Sequence, residues 1–278
     1  MSFMRFDREE LRALASGDRW MVSRIGYVPD SLPHQETMFG LSNGYVGVRA
    51  TIEEGAHGEQ PGTFFAGVYD TSEAANKNIV NAPNWIPVSL RAQGTQINPV
   101  GCEVLGFERH LDMANAVLLR RSRYRDPQGR ETTVEAYRFV SLASPHLAGA
   151  VVYVRPDNWS GTLSVETGID ASVRNAKEVS EQPLDYEGTD GPQQVRHLDL
   201  VDVREMEAGG PAIYVETRTR DAGIHLGIAS SLTVASPERE DDLLTRSVAM
   251  QLPERPQQHA ELTVREGRWY GLRKYVAF

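Results

Sequence analysis

The sequence holds one cysteine, Cys102, among 278 residues. No disulfide can form within one copy, and a reducing, cytoplasmic setting is the expectation. No stretch approaches 18 uninterrupted apolar residues, which excludes a membrane-spanning helix. The opening Met1-Ser2-Phe3-Met4-Arg5-Phe6-Asp7 lacks the basic region and apolar run of a secretory signal. The Asn158-Trp159-Ser160 sequon therefore carries no meaning for glycosylation. An excess of basic residues is missing too. The net charge is −9, and Lys and Arg are interspersed with acids, as from Arg120 to Glu131. A nucleic-acid surface would cluster them. No HExxH, CxxC, Walker-type glycine loop or GxSxG occurs, so no metal or cofactor is expected.

What is present reads as a β protein. The stretch Glu36–Ile52 centres on Asn43-Gly44, the pair that reaches positive φ most cheaply, flanked by apolar and aromatic residues, and it predicts a tight hairpin. Gly47 falls inside the outgoing strand, where a glycine suggests a crowded backbone. Residues 7–15 give the clearest helix signal, with Asp7 as cap, acids in the first turn and Gly17 beyond. Residues 20–33, with Pro29 and Pro33, read as an irregular lead-in, and residues 53–62 as a loop. Thr63 to Tyr69 reads as strand, and residues 70–84 as a long polar loop ending in Asn81-Ala82-Pro83-Asn84-Trp85. A loop of that length tends to be functional or disordered.

Further on, Leu163, Val165, Thr167, Ile169, Ala171 and Val173 alternate with polar residues, a period no helix can use. Segments 132–142, 147–154, 195–203, 212–219, 224–234 and 260–264 behave similarly. Turn signals separate them at 126–129, 156–158, 208–211 and 221–223. Residues 176–193 and 236–242 read as solvated loops. The fold class expected is all-β: a large antiparallel β-sandwich with a short N-terminal helix, and 278 residues fit one such domain.

Candidate chemistry is sparse. Breaking a glycosidic bond needs paired carboxylates, or one acid where phosphate supplies the nucleophile. Asp241-Asp242 sits in a Pro-led polar run and reads as charged surface. His110-Leu111-Asp112 and His197-Leu198-Asp199 each place a His and an Asp on one strand face, as a metal half-site, an oriented base or a cross-sheet hydrogen bond. Aromatics are the better clue, because sugars stack their C–H faces on rings. Trp85 ends the long loop, Trp159 lies in a turn, and Tyr69, Tyr45 and Trp20 lie near the early blocks. Trp85, Tyr69 and Trp159 are the candidate substrate contacts, with core packing as the default reading of each.

The run Glu36-Thr37-Met38-Phe39 followed by Asn43-Gly44-Tyr45-Val46-Gly47-Val48-Arg49 resembles the opening of the N-terminal domain of glycoside hydrolase family 65. Further blocks follow in the family's order: Gly62–Asp70, Val80–Trp85, His110-Leu111-Asp112 into Val117–Arg120, Arg138–Ser141 and Ile169–Asn175. The resemblance covers residues 36–175 and thins out afterwards. It implies a sandwich of the galactose-mutarotase-like super-sandwich kind. In that family the glutamate general acid and the phosphate-binding residues lie in a helical (α/α)6 barrel that follows the sandwich.

On that resemblance the chain, 1–278, is the N-terminal domain alone, the barrel is absent, and no catalytic residue is carried over. The partners it implies are the protein's own catalytic domain, a disaccharide and a second copy in a homodimer, with no nucleic acid and no membrane. Two other expectations stand beside it. One is a carbohydrate-binding module built on Trp85, Trp159 or nearby tyrosines. The other is a mutarotase-type epimerase, which needs one of His110, His197 or His225 opposite a carboxylate.

Overall fold

The computed structural model describes residues 20–71, 77–176, 194–206, 212–236, 239–244 and 254–278. The helix expected at 7–15, the turn at 208–211 and nearly all of the loop at 176–193 lie outside these residues. Ten described strands make one antiparallel sheet. Its order is Met21–Ile25, Glu103–Asp112, Val117–Arg125, Glu131–Val140, Leu147–Pro156, Tyr270–Ala277, His225–Ser236, Ala212–Thr219 and Leu198–Met206, with Arg239–Leu244 pairing on the end of His225–Ser236. A second sheet runs Gln257–Val264, Gly161–Gly168, Val88–Ala92, Thr95–Gln96.

Alternation decides which side chains meet. Leu118, Arg120, Ser122 and Tyr124 point to one face of the large sheet, and Val134, Ala136, Arg138 and Val140 continue it on the next strand. Half of that face is covered by the second sheet. There Val88, Leu90, Leu163, Val165 and Leu262 pack with Tyr124, Val134, Val152 and Leu272. The other half is covered by the chain before residue 88, where Phe39, Val46, Phe65, Val80 and Trp85 pack on Leu118, Val140, Ile228 and Val276. This is the expected sandwich, with irregular chain replacing the second sheet over half of one face.

The Asn43-Gly44 turn joins Leu41–Ser42 to Val46–Val48 as expected, with Gly44 at φ 85. Asn43 Oδ1 accepts from Tyr45 N at 3.0 Å and Val46 N at 2.9 Å, and Asn43 Nδ2 donates to the carbonyls of Ser141 and Pro145. The asparagine thus shapes its own turn and ties it to the large sheet. Gly47 is not crowded: a Cβ there would meet only Ser42 Oγ at 3.9 Å. Real crowding falls at Gly62, 2.6 Å from the Phe64 ring, and at Gly149, 3.0 Å from the Phe139 ring.

Several expectations are corrected. The lead-in contains the edge strand Met21–Ile25 and then a helix, Leu32–Met38, which takes in Glu36, Thr37 and Met38. Leu32, Gln35 and Glu36 bury at helical spacing, and Pro33 sits in the first turn, where a missing N–H costs nothing. Arg49 fastens the helix to the hairpin, donating to Glu36 Oε2, Thr37 Oγ1 and the Pro33 carbonyl.

The expected long loop at 70–84 contains a hairpin, Tyr69–Thr71 with Lys77–Ile79. The chain after it is irregular but buried at Val80, Ala82, Trp85 and Ile86. Asparagines supply its backbone partners: Asn81 Oδ1 accepts from Thr63 N, and Asn81 Nδ2 donates to the Pro61 and Arg174 carbonyls. The alternating run from Leu163 stops being strand at Gly168, where a Cβ would come 2.5 Å from the Pro256 carbonyl. Residues 239–242, within the loop expected at 236–242, belong to the strand Arg239–Leu244. A backbone ladder at a sheet end needs no apolar run to form.

Candidate functional site

Charge is buried where the two apolar clusters meet. Arg120 and Arg138 project from the large sheet, and Glu53 and Glu54 come from the chain after the hairpin. Arg120 donates to Glu53 Oε2 through Nη2 at 2.8 Å and Nε at 3.1 Å, to Glu54 Oε2 at 2.5 Å, and to Ser122 Oγ at 2.6 Å. Arg138 Nη2 donates to Glu53 Oε1 and, at 2.6 Å, to the Thr51 carbonyl. Burial pushes the Glu53 carboxyl up, but the Arg138 and Arg120 guanidiniums outweigh it and bring it down to about 2. Burial dominates at Glu54, which is held above its ordinary value. Both oxygens of Glu53 are occupied by guanidinium hydrogens, so this group fastens the 51–54 chain rather than moving protons.

Two more buried basic groups share the seam. Lys274 Nζ donates to the Gly168 carbonyl at 2.9 Å and the Pro87 carbonyl at 3.2 Å, and burial, with Arg138 nearby, lowers it to about 7. Arg109 lies 5.4 Å from the Phe107 ring centre and 5.8 Å from that of Phe39, and burial lowers it to about 10. Glu59 bonds Ile52 N and Ala56 N and is pushed up to about 7 by burial. These groups escaped the sequence reading, which treated residues 53–62 as loop. Arginine at inward positions of two alternating strands, Leu118-x-Arg120 and Ala136-x-Arg138, is the signal that marked them.

The three expected sugar contacts are not brought together. Trp85 is 0% exposed, its ring 6.1 Å from that of Phe278. Trp159 is 5% exposed and its Nε1 donates to Thr132 Oγ1 at 3.0 Å. Neither offers a ring to solvent, because each fills a core cluster. The platform expected of a binding module is therefore missing from these two positions.

Tyr69 differs. At 46% exposure it lines a cleft of about 710 Å³ with Asp70, Lys77, Asp221 and Ile224. Asp70 is buried and builds the cleft wall, its carboxylate accepting from the backbone N–H groups of Arg220, Asp221 and Ala222. A ring, a lysine and an aspartate around an open cleft can contact a polar, partly apolar ligand such as a sugar.

The histidines do not pair with the aspartates two residues on. His110 Nδ1 contacts Ser23 Oγ at 2.8 Å, while Asp112 caps the turn at Ala114 and Asn115. His197 is buried 3.6 Å from Asp70, while Asp199 pairs with Arg220. His225 Nδ1 lies 2.7 Å from Glu216 Oε1, and Tyr214 donates to Glu216 Oε2 at 3.1 Å. Among the described residues no group of side chains is arranged to hold a metal ion, and no helix is long and apolar enough to cross a membrane.

The fold and its buried fastenings define a large β-sandwich domain with an open surface cleft beside Tyr69. The family model described as the N-terminal domain of glycosyl hydrolase family 65 matches residues 22–278, and the chain belongs to that family. Among its relatives, a kojibiose phosphorylase of Thermoanaerobacter brockii is 35% identical over 81% of this chain and 27% of its own length. A kojibiose phosphorylase of Caldanaerobacter subterraneus subsp. tengcongensis is 34% identical over 83% and 28%. An alpha,alpha-trehalose phosphorylase of Thermoanaerobacter brockii is 27% identical over 56% and 22%. The chain thus spans about a quarter of the length of these curated relatives. A solved structure from human microbiome, provisionally described as a kojibiose phosphorylase, matches at TM-score 0.71 with 16% identity over 93% of this chain and 32% of that one, and shares the fold.

Proposed function

We propose that residues 1–278 form a single non-catalytic domain that packs on a helical catalytic barrel belonging to the same full-length protein. The full-length protein then splits an α-glucosyl disaccharide with phosphate or water. The observation that carries this is the family match over 22–278 in a chain equal to about a quarter of phosphorylases named for kojibiose and trehalose. The buried Glu53 and Glu54, tied to arginines, support a scaffold role. The Tyr69 cleft suits a sugar contact at the rim of the active site. The strand Leu198–Met206 ends the large sheet with Val201 exposed, an edge suited to pairing two copies in a cytoplasmic homodimer.

The test is phosphorolysis and hydrolysis of kojibiose, maltose, nigerose and trehalose by this chain. No turnover is expected, and appreciable turnover would overturn the reading. One observation favours a second reading as a mutarotase-type epimerase, the 2.7 Å His225–Glu216 contact. Polarimetry of fresh α-glucose tests it, and accelerated equilibration that disappears with His225→Ala would establish it.

A further inference from the structure

An antiparallel sheet packed on one side turns its other side to water and carries polar residues there. The second sheet follows this rule, with Ser89, Arg91, Ser164, Glu166 and Glu261 on its outer face. The outer face of the large sheet follows it over only part of its length. Towards the turn at 126–129 it carries paired charges, Arg121 with Glu108, and Arg123 and Arg125 with Glu131. Towards the opposite end it becomes apolar. Leu119, Tyr137, Phe139, Val151, Leu147 and Tyr275 stand there on four neighbouring strands.

Leu119 and Tyr137 cluster with Val151, while Leu147 is 47% exposed and Tyr275 38% exposed. Leu142, in the turn that leads into Leu147, is 70% exposed. His110 and Arg273 flank the row of Leu119, Tyr137 and Val151 on either side and give the patch a polar border. An apolar patch with a polar border is the make-up of a contact surface.

Two observations bear on what covers it. Phe278 N donates to the His146 carbonyl at 2.9 Å, so the last residue lies beside Leu147. In the longer protein proposed above, the following residues then leave from the margin of the patch. The Tyr69 cleft lies at the same end of the large sheet, because Asp70 holds the 220–222 turn between the strands Ala212–Thr219 and His225–Ser236. A body covering the patch thus starts from the end of this chain and can reach the cleft. The edge strand suited to a second copy stands three strands beyond Tyr275.

We propose that this half of the outer face, with Leu142 at its margin, is the surface on which the part of the full-length protein that follows Phe278 packs. The inference rests on the reading of the chain as one domain of a longer protein, and the covering surface is apolar at its centre.

The experiment labels side chains with hydroxyl radicals in this chain and in the full-length protein, read residue by residue by mass spectrometry. An interface core packs as densely as a protein interior, so labelling of Leu142, Leu147 and Tyr275 is expected to fall at least about fivefold in the full-length protein. His259, on the outer face of the second sheet, should label equally in both. The double substitution Leu142→Asp with Leu147→Asp changes exposed positions only and should leave thermal unfolding of the chain unaltered. In the full-length protein it should raise labelling of Tyr275 to the level of the chain alone.

Equal labelling of the patch in both proteins, with protection at another face, would overturn the inference and leave the reading of a packed domain intact. Protection nowhere would overturn both. Patch labelling that falls in the chain alone as its concentration rises would assign the surface to a second copy and overturn the inference. Tyr275 still protected in the full-length double variant would overturn it as well.

Discussion

Replacing Lys274 by methionine should change how stability depends on pH, and the structure sets the size of the change. The amine is fully buried, bonded among the described residues to the Pro87 and Gly168 carbonyls, and its pKa falls from an ordinary 10.5 to about 7. Between those values the unfolded chain holds a proton that the folded chain does not, so stability rises with pH across that window. The rise is about 1.4 kcal/mol per pH unit, or about 3 kcal/mol from pH 7 to pH 9.5. Methionine has no proton to lose and removes this rise. It also removes two hydrogen bonds, at a cost of about 1–3 kcal/mol. Pro87 keeps a donor in Thr167 Oγ1 at 2.7 Å, which limits that loss.

The variant should therefore be less stable than the parent at pH 9.5 and about equal or more stable at pH 6.5. Urea unfolding of both proteins at four pH values across this range gives the difference directly, with the other titrating groups cancelling. A difference that stays constant within about 1 kcal/mol from pH 6.5 to 9.5 would refute the assignment of a neutral, buried amine.

Arg120→Met leaves Glu54 without its guanidinium partner and should cost about 3–5 kcal/mol in the same unfolding assay. Glu53 has a folded pKa of about 2 against 4.5, so its contribution is complete above pH 4.5 and disappears as pH falls towards 2. Acid unfolding of Glu53→Gln should show a correspondingly flatter profile. Trp159→Phe keeps the ring in its cluster and loses the bond to Thr132, costing about 1 kcal/mol and leaving any sugar titration unchanged. Gly149→Ala drives a methyl to 3.0 Å from the Phe139 ring and 3.1 Å from the Lys274 carbonyl, and should lower stability by about 1–3 kcal/mol by thermal melt.

Alternation carried most of the fold into the sequence. The long strands from 147 to 168 and from 212 to 236 follow a two-residue apolar period, and the turns at 126–129 and 221–223 fall where Asp, Pro and Gly stand. What escaped was chain whose partners are remote. The helix Leu32–Met38 has only seven residues and is fastened by Arg49, which no local pattern reveals. Trp85 read as loop because its neighbours are polar, yet those asparagines satisfy buried backbone and let the ring sink into the core.

Of the candidate site, Tyr69 was legible as an aromatic beside a loop. Its cleft was not, since Asp70 meets Arg220–Ala222 across 150 residues of sequence. Glu53 and Glu54 read only as part of a loop, because the arginines that bury them stand on strands far along the chain.

The central claim is that these 278 residues are framework and that bond breaking belongs to another part of the full-length protein. It is tested most directly by incubating kojibiose, maltose, nigerose and trehalose, with and without phosphate, with this chain and with the full-length protein side by side, and measuring the glucose and glucose 1-phosphate formed. The account predicts product from the full-length protein and none from the chain alone. Product from the chain alone, lost on changing a carboxylate within it, would contradict the account.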